Sequence, residues 1–144
     1  MFIRKKYCLL RFSSVLFIAH LLLTAFFCTS CTKKDYHKTK PIEFTVVAER
    51  DIPEKLLQVI KEKKKSPLEL SYSDGKFLYI VKGYGAQNTT DFSIVVNDLY
   101  LSDNTIIFDT DLFGPGNTSS PKNEVSYPFI VVKSENMDND IIFK

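Results

Sequence analysis

Beyond Cys31 the sequence contains no cysteine, and it contains no tryptophan at all. Histidine is almost missing as well: His20 and His37 are the only two, and both precede the segment that reads as a folded body. These absences exclude much chemistry. There can be no disulfide staples, no zinc-type cysteine pairs and no thiol nucleophile in the body of the protein. The usual general base at neutral pH is missing, as are Ser-His and Cys-His nucleophile pairs and histidine-based metal sites. A carboxylate-dependent hydrolase remains open, with Asp109 and Asp111 as the nearest pair. On a strand these two share a face opposite Ile106 and Phe108, which is the pattern of a solvated strand face. A calcium set of Asp109, Asp111 and Asn117 lacks any spaced acidic loop. Gly83-x-Gly85 and Gly114-Pro-Gly116 precede no helical pattern, so they read as turns rather than phosphate loops. No catalytic residue, metal or cofactor is expected.

What is present begins with the N-terminus. Arg4, Lys5, Lys6 and Arg11 make a basic start, and Phe12 to Cys28 is uncharged and apolar. The run is too short for an ordinary spanning helix and reads as a secretory signal over residues 1–30. Its ending, Cys28-Thr29-Ser30-Cys31, resembles a bacterial lipobox, with small residues before the acceptor cysteine. Phe26 and Phe27 are too bulky to precede the acceptor, so Cys31 is the expected lipid-attachment residue. A plain secreted protein and an uncleaved N-terminal anchor are the alternatives. The expected location is the extracytoplasmic face of a cell membrane.

Without residues 1–30 the chain has 114 residues, enough for one domain with its own core. It carries fifteen basic and seventeen acidic residues, net −2. The charge is uneven: residues 31–65 are net +4 and residues 66–144 net −6. A basic end near an anionic bilayer and an acidic outer body fit that division, as does a solvated helix face. An acidic body argues against nucleic-acid binding.

Residues 31–42 are polar and lysine-rich. They read as a lipidated N-terminus and flexible tether that lifts a domain over 43–144 off the membrane. Residues 43–50 suggest a first strand, with Phe44, Val46 and Ala48 on one face. Asp51 and Glu54 suggest a capping box, with Pro53 in the first turn. Leu56, Leu57, Val59 and Ile60 then form an apolar stripe at helical spacing, and Pro67 ends the helix. Strands are expected over 68–72, 77–82, 92–101, 105–112, 129–133 and 141–143. Asp74-Gly75 marks a hairpin, and Ser134–Asp140 marks a polar turn between the last two strands. The expected fold class is α+β and mostly β: one short helix packed on about six antiparallel strands, sandwich or barrel-like. Two loops, 83–91 and 113–123, lack alternation and are long, which marks them as candidate functional loops. Their candidate contact residues are Tyr84, Gln87, Asn88, Thr89, Thr90, Gly114, Pro115, Gly116 and Tyr127.

Three segments carry a resemblance: residues 77–96, FLYIVKGYGAQNTTDFSIVV; residues 112–116, LFGPG; and residues 126–133, SYPFIVVK. In this order they resemble the C-terminal domain of the PrcB-like protease-complex proteins. Where that family has a Pro-Thr-Gly-Gly-aromatic turn, this chain has Asn88-Thr89-Thr90-Asp91-Phe92. The resemblance implies a non-enzymatic lipoprotein that binds, and stabilises, a surface protease complex through a protein partner. The same Asn-Thr-Thr-x-Phe run is also similar to a loop of chagasin-like inhibitors of cysteine peptidases. That alternative lacks its Arg-Pro-Trp loop, because there is no tryptophan.

Overall fold

The computed structural model describes residues 36–116 and 124–144. The expected signal segment, Cys31, residues 32–35 and residues 117–123 lie outside the described residues. The described chain runs β1 (Lys40–Pro41), β2 (Phe44–Val46), a 3-10 turn (Glu49–Asp51) and a helix, α1 (Glu54–Lys63). Six longer strands follow: β3 (Pro67–Ser73), β4 (Phe77–Tyr84), β5 (Ser93–Ser102), β6 (Thr105–Phe113), β7 (Phe129–Glu135) and β8 (Asp140–Phe143). With β1 and β2 they form two four-stranded sheets, ordered β1-β5-β6-β8 and β2-β7-β4-β3. The fold is mostly β with one short helix, as the sequence pattern indicates.

The layers follow from alternation along β4. Leu78 and Ile80 point into a core shared with Leu99, Ile106 and Phe108 of the other sheet, together with Val132. Tyr79 and Val81 point the other way, into a core with Ile52, Leu56 and Ile60 of the helical segment, together with Leu68 and Val131. One sheet is thus the middle layer, with α1 on one face and the second sheet on the other. Strands buried on both faces read as continuous apolar runs, here Phe77–Val81 and Phe129–Val132.

Several boundaries differ from the expectation for physical reasons. The strand expected over 43–50 stops at Val46, and the chain turns at Glu49–Asp51. No capping box forms. Pro53 holds the N-cap position without a side-chain hydrogen bond, and Asp51 belongs to the preceding turn. Within the helix Leu56 and Ile60 are buried, while Leu57 packs at the core's margin. The tether also ends earlier than residue 42. Thr39 N–H donates to the Leu101 carbonyl at 2.8 Å, Ile42 N–H to that of Leu99 at 2.9 Å, and β1 pairs with Tyr100 and Leu101.

The strands are not all antiparallel, because β8 lies parallel to β6. Its neighbours in sequence explain this. β7 belongs to the middle sheet, so the chain crosses to the other sheet after Glu135 instead of folding back as a hairpin. It enters at the end where β6 also begins.

The Asp74–Gly75 turn forms as the sequence indicates, with Gly75 at φ 90°. The Asp74 carboxylate accepts from the backbone N–H of Phe77 at 2.7 Å and of Lys76 at 2.9 Å, and from the Tyr79 hydroxyl at 3.2 Å. Those contacts, Phe77 first, hold the Asp74 carboxyl below the usual carboxylate range. Burial, aided by the Asp74 charge, pushes the Tyr79 phenol up.

Two outcomes follow from this packing. Ile60→Ala should cost about 2–5 kcal/mol in urea unfolding, whereas Lys61→Ala should stay within about 0.5 kcal/mol. Equal losses would mean that α1 is not docked through Ile60. Asp74 is depressed in the folded state, so its contribution is complete above the unfolded carboxylate pKa. That contribution is lost as pH falls through the lower folded value. Asp74→Asn should therefore remove part of the acid sensitivity of unfolding, and an unchanged acid profile would contradict the turn's role.

Candidate functional site

The two unusual loops meet at one end of the sandwich. That end is fixed by strand direction: β4 and β6 finish there, β5 and β7 begin there, and α1 delivers Lys64 and Lys65 to it. Gln87 and Ser126 form an isolated antiparallel bridge, with N–H to carbonyl distances of 2.9 and 3.0 Å. The Ser126 hydroxyl also donates to the Thr89 carbonyl at 2.6 Å. Gly114 lies against Phe92, where a Cβ would come within 3.3 Å of the ring. The β4–β5 connection and both described parts of the β6–β7 connection are thereby held together.

The expected contact residues divide into two groups. Tyr84 is the last residue of β4, and its hydroxyl donates to the Thr110 carbonyl on the facing sheet at 2.9 Å. The Tyr84 and Thr110 hydroxyls are also hydrogen-bonded to each other, 2.8 Å apart. It joins the two sheets instead of standing free at a loop tip. Gln87 is half-buried, and its side-chain amide donates to the Tyr84 carbonyl at 3.0 Å. Both are framework residues of this end. Asn88, Gly114 and Gly116 are exposed, and Thr89, Thr90 and Pro115 are half-buried beside them. Tyr127 is half-buried with the Lys64 ammonium 5.4 Å from its ring centroid, an amphipathic contact at the foot of the same end.

Two backbone positions fix the loop's path. Gly85 has φ 73°, and a Cβ there would meet the Pro67 nitrogen at 3.0 Å, so only glycine fits between β4 and β3. Asp91 also has a positive φ, 70°, at the turn where the resembled family carries glycines. Aspartate is among the few side chains that tolerate this region.

Asp109 and Asp111 lie elsewhere, on the outer face of the β1-β5-β6-β8 sheet. A β-bulge between Val96 and Asp98 turns Asn97 toward them, and its amide donates to Asp109 at 3.1 Å and to Asp111 at 2.9 Å. Among the described residues no group of three His, Cys, Asp or Glu is placed to hold a metal ion.

A groove of about 860 Å³ was not anticipated from sequence. It opens where the chain crosses from β1 to β2, over Ile42, Phe44, Phe77, Leu101 and Met137, with Lys40 and Glu135 among its rim residues. The signal for it was present in the alternation of Ile42 and Phe44, but tether composition obscured it.

If Tyr84 is a tie between sheets, Tyr84→Phe should lower stability by about 0.5–1.5 kcal/mol. Gly85→Ala should lower it further, through the positive φ and the Pro67 contact. Denaturant midpoints check both. Wild-type stability in Tyr84→Phe would return that hydroxyl to the contact surface.

The geometry coincides with a family boundary. Residues 78–135, less than half of the 144-residue chain, match the family model described as PrcB C-terminal. No curated protein and no solved structure matches the chain. The matched stretch begins at the second residue of β4 and ends at the last of β7, so it contains both loops and the Gln87–Ser126 bridge that joins them. Over residues 78–135 the chain is similar to the PrcB C-terminal family.

Proposed function

We propose that this protein is a lipid-anchored, extracytoplasmic binding protein without turnover. Its partner is another protein, and the family points to a surface protease complex that it binds and stabilises. The observation that carries the reading is the joined loop end. Two connections separated by the β5–β6 hairpin are bridged by Gln87 and Ser126 within the family segment. Loops held on a rigid scaffold are where binding residues concentrate. Exposed Asn88 adjoins this bridge, and half-buried Pro115 follows Gly114, which lies against Phe92; both can touch a partner without holding the fold. The absence of cysteine beyond Cys31, and of histidine beyond His37, supports binding over catalysis.

Two experiments test the reading. Tagged full-length protein, captured from detergent-solubilised membranes, should bring down a protease subunit. Asn88→Arg with Pro115→Arg should weaken that capture at least tenfold, a loss of about 1.4 kcal/mol, and leave the thermal midpoint near wild type. Full capture by a well-folded double variant would move the binding surface elsewhere. Separately, Cys31→Ala should abolish labelling by a fatty-acid probe. A wild-type band without label would refute the anchor.

A further inference from the structure

We infer that the outer face of the β1-β5-β6-β8 sheet faces the lipid bilayer and that the lysine-rich helix lies on the side away from it. The inference rests on the lipid-anchor reading and adds an orientation to it.

The first argument is chain length. Residues 36–39 do not hang free but lie on that outer face. The Tyr100 hydroxyl donates to the Tyr36 carbonyl at 3.4 Å, and the Lys144 ammonium sits 4.9 Å from the Tyr36 ring centroid. Lys38 pairs with Asp98 at 2.7 Å and lies 5.6 Å from the Tyr100 ring centroid. Only Thr32, Lys33, Lys34 and Asp35 separate Cys31 from this strap. Five fully extended residue steps reach at most about 18 Å. A lipid on Cys31 therefore keeps Tyr36, and the face it lies on, within that distance of its own glyceryl group.

The second argument is the chemistry of the face. Val95 and Phe113 point outward from neighbouring strands and remain 45% and 52% exposed. Large apolar side chains left in water are what a bilayer interface accommodates. Tyr36, Lys38 and Lys144, which cover the buried Tyr100, supply apolar bodies with polar tips, the side chains suited to the headgroup layer. Asp98 is paired with Lys38, and Asp109 and Asp111 share the Asn97 amide. With Lys38 and Lys144 against Asp98, Asp109, Asp111 and the exposed Asp140 of β8, the face is net negative, so its apposition depends on the short leash and not on anionic lipid. Lys55, Lys61 and Lys63 are exposed on α1 and Lys65 just past its end, across both sheets. Layers stack about 10 Å apart, which puts these lysines roughly 20 Å farther from the bilayer. This reverses the arrangement suggested by charge along the sequence.

The test uses the processed, membrane-inserted chain. Lipid occupies the Cys31 thiol, so Val95→Cys and Lys61→Cys each create one labelling site. Each variant is labelled with a fluorophore and reconstituted in phosphatidylcholine vesicles containing a nitroxide-headgroup lipid. The label at position 95 should lose severalfold more fluorescence than the label at 61. The difference should persist in high salt and shrink when a long Gly-Ser segment is inserted between Lys34 and Asp35. Equal quenching, or stronger quenching at 61, overturns the orientation. A processed chain that washes off membranes with a free Cys31 thiol overturns the anchor itself, and the orientation with it.

Discussion

The structure depends on the burial of one strand pair, β4 and β7, on both faces. Ile80, Val81 and Val132 have no exposed surface, and Val131 has almost none. Each side chain of this kind contributes about 1.5–3 kcal/mol when buried, an upper bound because the unfolded chain is already partly collapsed. Neither face can be left to water, so the pair demands two covers. α1 supplies one through Leu56 and Ile60. The second sheet supplies the other through Leu99, Ile106 and Phe108. Backbone pairing in the middle sheet is completed by β3 on one side and β2 on the other.

The same requirement shapes both ends of the molecule. At one end short connections suffice, including the four-residue crossing from β7 to β8 in the other sheet. Asp74 organises the β3–β4 turn, and the Asn139 amide reaches the carbonyl and side chain of Asn104 at 3.0 and 2.9 Å. At the other end the chain must pass between sheets and around the helix terminus. Tyr84 and Thr110 close the space between the sheets, and the Lys82–Glu69 ion pair lies on the neighbouring strands. The longer connections at this end are joined by Gln87 and Ser126. A binding surface at that end inherits its rigidity from the packing beneath it.

Much of this was legible in the sequence. The helix and the strands from β3 to β8 appear within a few residues of their positions, because their apolar periods of 3.6 and 2 are strong and their turns carry Asp-Gly or polar clusters. β1 was hidden because Lys40 and Pro41 have the composition of a linker, and their pairing with Tyr100 and Leu101 is a long-range event. The parallel placement of β8 was hidden for the same reason, since a polar turn does not reveal whether the next strand returns to the same sheet. At the candidate site, the choice of loops could be made from missing alternation. The separate roles of Tyr84 and Asn88 could not, because whether an aromatic beside a loop packs or protrudes is decided by Thr110, twenty-six residues away.

Native-state hydrogen exchange tests the central claim most directly. If double burial of β4 and β7 holds the fold together, the amides of Ile80, Val81, Val131 and Val132 should exchange only through global unfolding, and their free energies should match the value from denaturant. The β1 and β2 amides should exchange through smaller, local openings. Exchange of the β4 and β7 amides at free energies below those of β5 and β6 would contradict the account and move the organising element to the other sheet.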